Sequence, residues 1–148
     1  MRATLGDEAL LLIGMDLIKD RDVLEIAYDD AQGVTAQFNL NLLTRINREL
    51  DGDIPVEAFR HEARWVDTYA RVEMHLVAQE DVAFGVSGSA FSMRKGESIH
   101  TENSHKFGKR SSNMLLLAGG WTPIERWTDS GELFSLILAK AAIPRSAP

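Results

Sequence analysis

The sequence predicts an α/β fold, and three observations carry that prediction. Residues 9–15 form a short apolar run closed by Asp16, residues 133–139 form a second run that is almost continuously apolar, and between them the hydrophobic spacing passes from helical to alternating. Continuously apolar strands belong in sheets covered on both faces. The two runs therefore predict buried strands, the first in a parallel setting, and the stretch between them predicts helices followed by an antiparallel insertion. That arrangement is a mixed sheet carrying a small substrate-facing subdomain.

Each element has its own signal. The first strand ends at Asp16 and Lys19, at the carboxyl end where open α/β sheets place ligands, although a polar strand end reads the same way. Asp22 followed by Glu25 reads as a capping box, and Val23, Leu24, Ala27 and Tyr28 recur at helical spacing, so a short helix follows. After Gly33 a longer helix runs to about Leu50, with Phe38, Leu42, Ile46 and Leu50 on one apolar stripe widened by Leu43. Asp51-Gly52-Asp53-Ile54-Pro55 ends it. Residues 58–66 and 71–79 then predict a strand pair, because Arg71-Val72-Glu73-Met74-His75-Leu76 alternates as a half-solvated strand does. Segments 82–86 and 90–93 flank Ser87-Gly88-Ser89 and predict a hairpin, and a strand over 97–106 completes the meander. Residues 113–118 predict a helix end stopped by Gly119-Gly120, and 121–127 and 133–139 predict two strands around Asp129-Ser130-Gly131. The tail, residues 144–148, is expected to fray.

Composition narrows the function. The chain has 148 residues, enough for one core, with 16 Lys+Arg against 22 Asp+Glu and a net charge of −6. No basic cluster is dense enough to neutralise a run of phosphates, which disfavours nucleic acid and points to a small-molecule partner. With no cysteine, disulfides, thiolate nucleophiles and Cys-based zinc sites are excluded. The longest apolar run is far below the roughly 20 residues of a spanning helix, so the expectation is a cytoplasmic protein with no membrane partner.

Candidate chemistry concentrates in Ser98-Ile99-His100-Thr101-Glu102-Asn103-Ser104-His105. On a strand, Ser98, His100, Glu102 and Ser104 share one face, placing a carboxylate acceptor beside a hydroxyl that donates or accepts. Such a pair suits a neutral imidazole; the alternative is an ordinary polar strand face. Tyr28-Asp29-Asp30 is the second candidate: Tyr28 offers a phenol to a ligand or belongs to the core, and the aspartates are acid and base or a helix cap. Asn39 and Asn41 cannot share a helix face, so one of them faces solvent. Trp65, Trp121 and Trp127 read as core rather than stacking platforms. His61, His75, His100 and His105 show no HxH or HExxH spacing, so no metal site is predicted. Glycine-rich nucleotide loops and GxSxG are absent.

Four blocks carry a family likeness. These are Leu12-Ile13-Gly14-Met15-Asp16-Leu17-Ile18-Lys19-Asp20; Ala27-Tyr28-Asp29-Asp30-Ala31-Gln32-Gly33-Val34-Thr35-Ala36-Gln37-Phe38-Asn39-Leu40-Asn41-Leu42-Leu43; Ile99-His100-Thr101-Glu102-Asn103-Ser104-His105-Lys106-Phe107; and Gly120-Trp121 through Trp127-Thr128-Asp129 to Leu133-Phe134-Ser135. In that order the sequence resembles the histidine-specific S-adenosylmethionine-dependent methyltransferases of the ergothioneine pathway. The resemblance implies the carboxyl-terminal part of a class I, Rossmann-like methyltransferase sheet with an inserted α+β substrate-binding subdomain. It implies that residues 1–20 correspond to the family's fifth strand, 21–106 to the substrate-recognising insertion and 107–140 to a helix and a terminal strand pair, with 141–148 a tail.

Carried over by position, Glu102 and Ser104 match the family's imidazole-recognising pair and Tyr28 matches a tyrosine that contacts the substrate carboxylate. The implied reaction is methyl transfer to the α-amino group of histidine. S-adenosylmethionine is the implied cofactor, yet the family's cofactor-binding glycine motif lies in an amino-terminal part that this sequence does not contain, so this chain alone is expected not to bind it. The segment 108–113 also departs from the longer, Ala-rich acidic helix of the family. The rival expectation is a non-catalytic module that binds an imidazole or another amino acid. Either a separate amino-terminal half or self-association through an exposed sheet edge is the expected protein partner.

Overall fold

A computed structural model describes residues 5–6 and 8–141, so the expected fraying of the tail lies outside the described residues. Among the described residues, eight strands and three α-helices follow in the order β1 (Leu10–Asp16), α1 (Arg21–Tyr28), α2 (Val34–Glu49), β2 (Phe59–Val66), β3 (Arg71–Ala78), β4 (Val82–Val86), β5 (Ser89–Met93), β6 (Ser98–His105), α3 (Lys109–Ala118), β7 (Trp121–Thr128) and β8 (Phe134–Ala141). The chain is a mixed α/β protein, compatible with an α/β methyltransferase. It divides into two compact units, one made of Met1–Lys19 with His105–Pro148 and the other of Asp20–Ser104.

The discontinuous unit holds a three-stranded sheet in the order β1-β8-β7. β1 pairs antiparallel with β8, Leu12 opposite Leu138 and Asp16 opposite Phe134, which corrects the expected parallel setting. Continuous apolarity reports how much burial a strand demands; it does not report its neighbour's direction. α3 covers one face, where Met15, Leu116, Trp121, Ile137, Ala139 and Ala141 form a core. The burial of both runs on two faces is also corrected: β8 alternates buried Ser135, Ile137 and Ala139 with exposed Phe134 and Leu136, and β1 leaves Leu10 and Leu12 at 63% and 59% exposure. The second face carries Leu12, Leu136, Trp127 and Phe134, so Trp127 is exposed while Trp121 is core as expected. Gly14 belongs to that face because a Cβ there would collide with the ring of Phe134.

Phe107 ties the strand to α3: its N–H donates to the Asp16 carbonyl, and its own carbonyl accepts from Ile18. α3 opens at Gly108, whose N–H donates to Ser111 Oγ at 2.9 Å, and it ends at Gly119-Gly120 as the sequence predicts. Between β7 and β8 the carboxylate of Asp129 accepts from the N–H groups of Gly131, Leu133 and Phe134. These backbone bonds, led by the one from Phe134, hold its carboxyl below the ordinary value.

The continuous unit packs α1 and α2 with the sheet β2-β3-β6 and the hairpin β4-β5. The N-cap of α1 is Asp20, which accepts from the Asp22 N–H at 2.9 Å; Asp22 itself sits in the first turn, so the cap lies two residues before the predicted one. The β4-β5 hairpin turns on Ser87 and Gly88, both at positive φ of 49° and 77°, the conformation of the tight two-residue turn. The core is Leu43, Ile54, Ala58, Phe59, Leu76, Ala78 and Val82, with Leu40 and Ile46 packed against it. The expected stripe of α2 is therefore rotated: Phe38 is 69% exposed, Leu42 and Leu50 are exposed, and Asn39 goes inward at 5%. The polar residue turns in because buried partners await it there.

Candidate functional site

α1 ends at Tyr28 and β6 runs through Glu102 and Ser104, so the three residues singled out from the sequence lie in the same unit. Tyr28 Oη and Ser104 Oγ are 2.7 Å apart across 76 residues of chain. Glu102, two residues before Ser104 on the same strand, is exposed, and its carboxylate has no hydrogen-bond or ion-pair partner among the described residues. It borders a cleft of about 230 Å³ lined also by Phe38, Asn39, Asn41, Leu42, Arg45 and Thr101. The rotation of α2 that buries Asn39 is what turns the Phe38 ring outward to this cleft. The cleft joins an apolar wall to a carboxylate and a guanidinium, whereas Tyr28 and Ser104 do not line it.

The other candidates resolve into structural parts. Asp30 accepts from the N–H groups of Val34 and Thr35 at 3.1 and 3.0 Å, and these bonds, led by that from Thr35, lower its pKa. It caps α2. Asp16 is ion-paired with Lys19 and with Lys106, whose side chain is fully buried. Burial raises the Asp16 pKa, but bonds from the two lysines outweigh that and hold it below the ordinary value. Asn41 is the exposed member of the Asn39 and Asn41 pair.

The structure also assembles groups that spacing does not reveal. Glu73, His75 and His100 bring potential ligand atoms within 4.8 Å of one another, since β3 and β6 are neighbours in the sheet. The two rings stack at 4.8 Å and 15°, so their lone pairs run side by side instead of converging. His75 Nε2 is bonded to Glu73 at 3.0 Å and its Nδ1 meets Ser98 Oγ at 3.2 Å, while Arg71 donates to the same Glu73. This is a closed polar network in which burial, foremost, lowers the pKa of His75. A second missed group is His61, 8% exposed on β2, which contacts Asn39 and the Tyr28 backbone.

With this geometry in place, the comparisons with known proteins identify the class. A profile described as "Histidine-specific methyltransferase, SAM-dependent" matches residues 1–141, and the chain belongs to that family. Among its relatives, the histidine N-alpha-methyltransferase of Mycobacterium tuberculosis is 45% identical over 131 residues, which is 87% of this chain and 41% of the relative. The enzyme of the same name from Mycolicibacterium smegmatis is 40% identical over the same shares. Ergothioneine biosynthesis protein 1 of Neurospora crassa is 27% identical over 93% of this chain and 16% of its own length. The chain thus spans about two fifths of the length of the two bacterial relatives it matches.

S-adenosylmethionine, which the family implies, does not fit the groups at the end of β1. Nucleoside recognition at a strand end uses a free carboxylate for the ribose hydroxyls beside a glycine-rich turn. Here the Asp16 carboxylate is already engaged by Lys19 and Lys106 and is not open to ribose hydroxyls.

Proposed function

We propose that this chain is the substrate-recognising part of a histidine Nα-methyltransferase, with Glu102, Ser104 and Tyr28 holding the substrate. The observation that carries this reading is the Tyr28–Ser104 contact of 2.7 Å beside Glu102, whose carboxylate has no partner among the described residues. A neutral imidazole has one N–H and one bare nitrogen. Glu102 accepts from the first, and the Ser104 hydroxyl donates to the second while its oxygen accepts from Tyr28; alternatively the phenol turns its one O–H to the substrate carboxylate and gives up its bond to Ser104. Transfer of a sulfonium methyl to a neutral amine needs alignment more than acid–base help, so a site that fixes the imidazole makes its contribution by orientation.

In this reading β1-β8-β7 is one edge of a larger Rossmann-like sheet and residues 21–106 are its inserted subdomain. The partner is a polypeptide equivalent to the amino-terminal part of the bacterial relatives, supplying the S-adenosylmethionine site, the cover for the apolar face of Leu12, Leu136 and Trp127, and a strand for the open edge of β1. A cytoplasmic location accords with it.

Calorimetric titration of histidine into the wild-type chain and Glu102→Ala tests the site. Loss of a charged acceptor is expected to weaken binding by about 10- to 100-fold. Equal affinities for both would remove Glu102 from the site. The Asp16–lysine cluster favours a second reading, an imidazole-binding module without methyl transfer. Histidine binding with no methylated product, even after the amino-terminal part of the mycobacterial relative is added, selects that reading.

A further inference from the structure

We propose that His61 and Asn39 are positioning residues for Tyr28, acting through one enforced imidazole tautomer; the functional part of this inference rests on the substrate site proposed above. Asn39 Nδ2 lies 3.0 Å from His61 Nδ1 and 3.3 Å from the His75 carbonyl, and His61 Nε2 lies 2.7 Å from the Tyr28 carbonyl. Asn39, His61 and His75 are all below 9% exposed.

The directions of these bonds follow from one another. The His75 carbonyl only accepts, so the Asn39 group facing it is the amide NH2, because a flipped amide would set oxygen against oxygen. The second amide hydrogen then points at His61 Nδ1, which must present its lone pair. A neutral imidazole with a bare Nδ1 carries its proton on Nε2, and that N–H donates to the Tyr28 carbonyl. This carbonyl belongs to the last turn of α1, where backbone acceptors have no helical partner. His61 thus closes the end of α1 from the neighbouring strand and fixes the residue whose phenol meets Ser104.

His61 touches no reacting group in this arrangement; it sets where the phenol stands. Long-range proton–nitrogen NMR of the wild-type chain at neutral pH should show His61 as the Nε2–H tautomer, and an Nδ1–H or doubly protonated ring overturns the inference without any variant. His61→Phe removes both bonds at similar volume and should shift the Tyr28 ring resonances and weaken histidine binding about tenfold. His61→Gln, which returns an N–H donor toward the Tyr28 carbonyl, should recover most of that affinity at the same melting temperature as His61→Phe. If Tyr28 does not move in His61→Phe, or if affinity only follows melting temperature in both variants, the positioning role is wrong. If the wild-type chain binds no histidine, the substrate site fails, while the tautomer and the Tyr28 resonances still decide this inference.

Discussion

Ser104 and Glu102 stand out in the sequence because strand alternation puts them on one side of an unusually polar run, whereas Tyr28 needs the folded chain to reach them. The contact between Tyr28 and Ser104 depends on α1 docking on its own unit, which no local pattern encodes. His75 shows the same limit: its position on an alternating strand is plain, but its burial, its stack with His100 and its bond to Glu73 come from sheet register. Its pKa is depressed below 6.5, first by burial. The folded state therefore binds its proton less readily than the unfolded chain, so this contribution to stability is present above the ordinary histidine value and is lost as pH falls below it. Urea midpoints are expected to drop with acidification through that range, and the drop should be smaller in His75→Gln. An equal drop in both proteins would assign the effect to other groups.

Among the elements, the long helix α2 was legible in extent but not in orientation. Two overlapping stripes are apolar, and the one that wins buries Asn39 with Leu43 and leaves Phe38 outside. Hydrophobic periodicity ranks faces by apolarity, so a face chosen for a buried hydrogen bond escapes it. In the discontinuous unit, Arg126 of β7 donates to Ser135 of β8 at 2.8 Å and to Ser112 and Asn113 of α3 at 2.6 and 3.0 Å. Ser112 and Ser135 are fully buried. One guanidinium thus joins two strands to the helix that covers them. Arg126→Met should lower unfolding free energy by roughly 1–3 kcal/mol, the cost of leaving such buried groups short of partners. Chemical denaturation measures it, and a change within about 0.5 kcal/mol would show the bonds to be incidental.

At the scale of the molecule, the exposed face of the β1-β8-β7 sheet is the largest mismatch between sequence and fold. Leu10, Leu12, Trp127, Phe134 and Leu136 are all exposed there or beside it, and among the described residues no strand pairs with the second edge of β1, where Phe107 alone bonds at the carboxyl end. Such a surface is covered in stable proteins or drives association. The chain on its own is expected to self-associate in sedimentation velocity, and Leu12→Lys should shift it toward monomer with its circular dichroism unchanged. A wild-type monomer at high concentration would count against this face being a buried interface.

The sequence by itself determined the order of the strands, the two amino-terminal helices and the end of α3, the family, and the polar run that holds Glu102 and Ser104. These are local properties: period, caps, turn residues and ordered motifs repeat within a few positions and need no distant partner. Only the tertiary structure decided that β1 meets β8 antiparallel, that Asn39 rather than Phe38 is buried, and that His61 closes the helix bearing Tyr28. Each of those depends on which surfaces meet across long stretches of chain, and buried hydrogen bonds, specific in geometry yet silent in periodicity, make that choice.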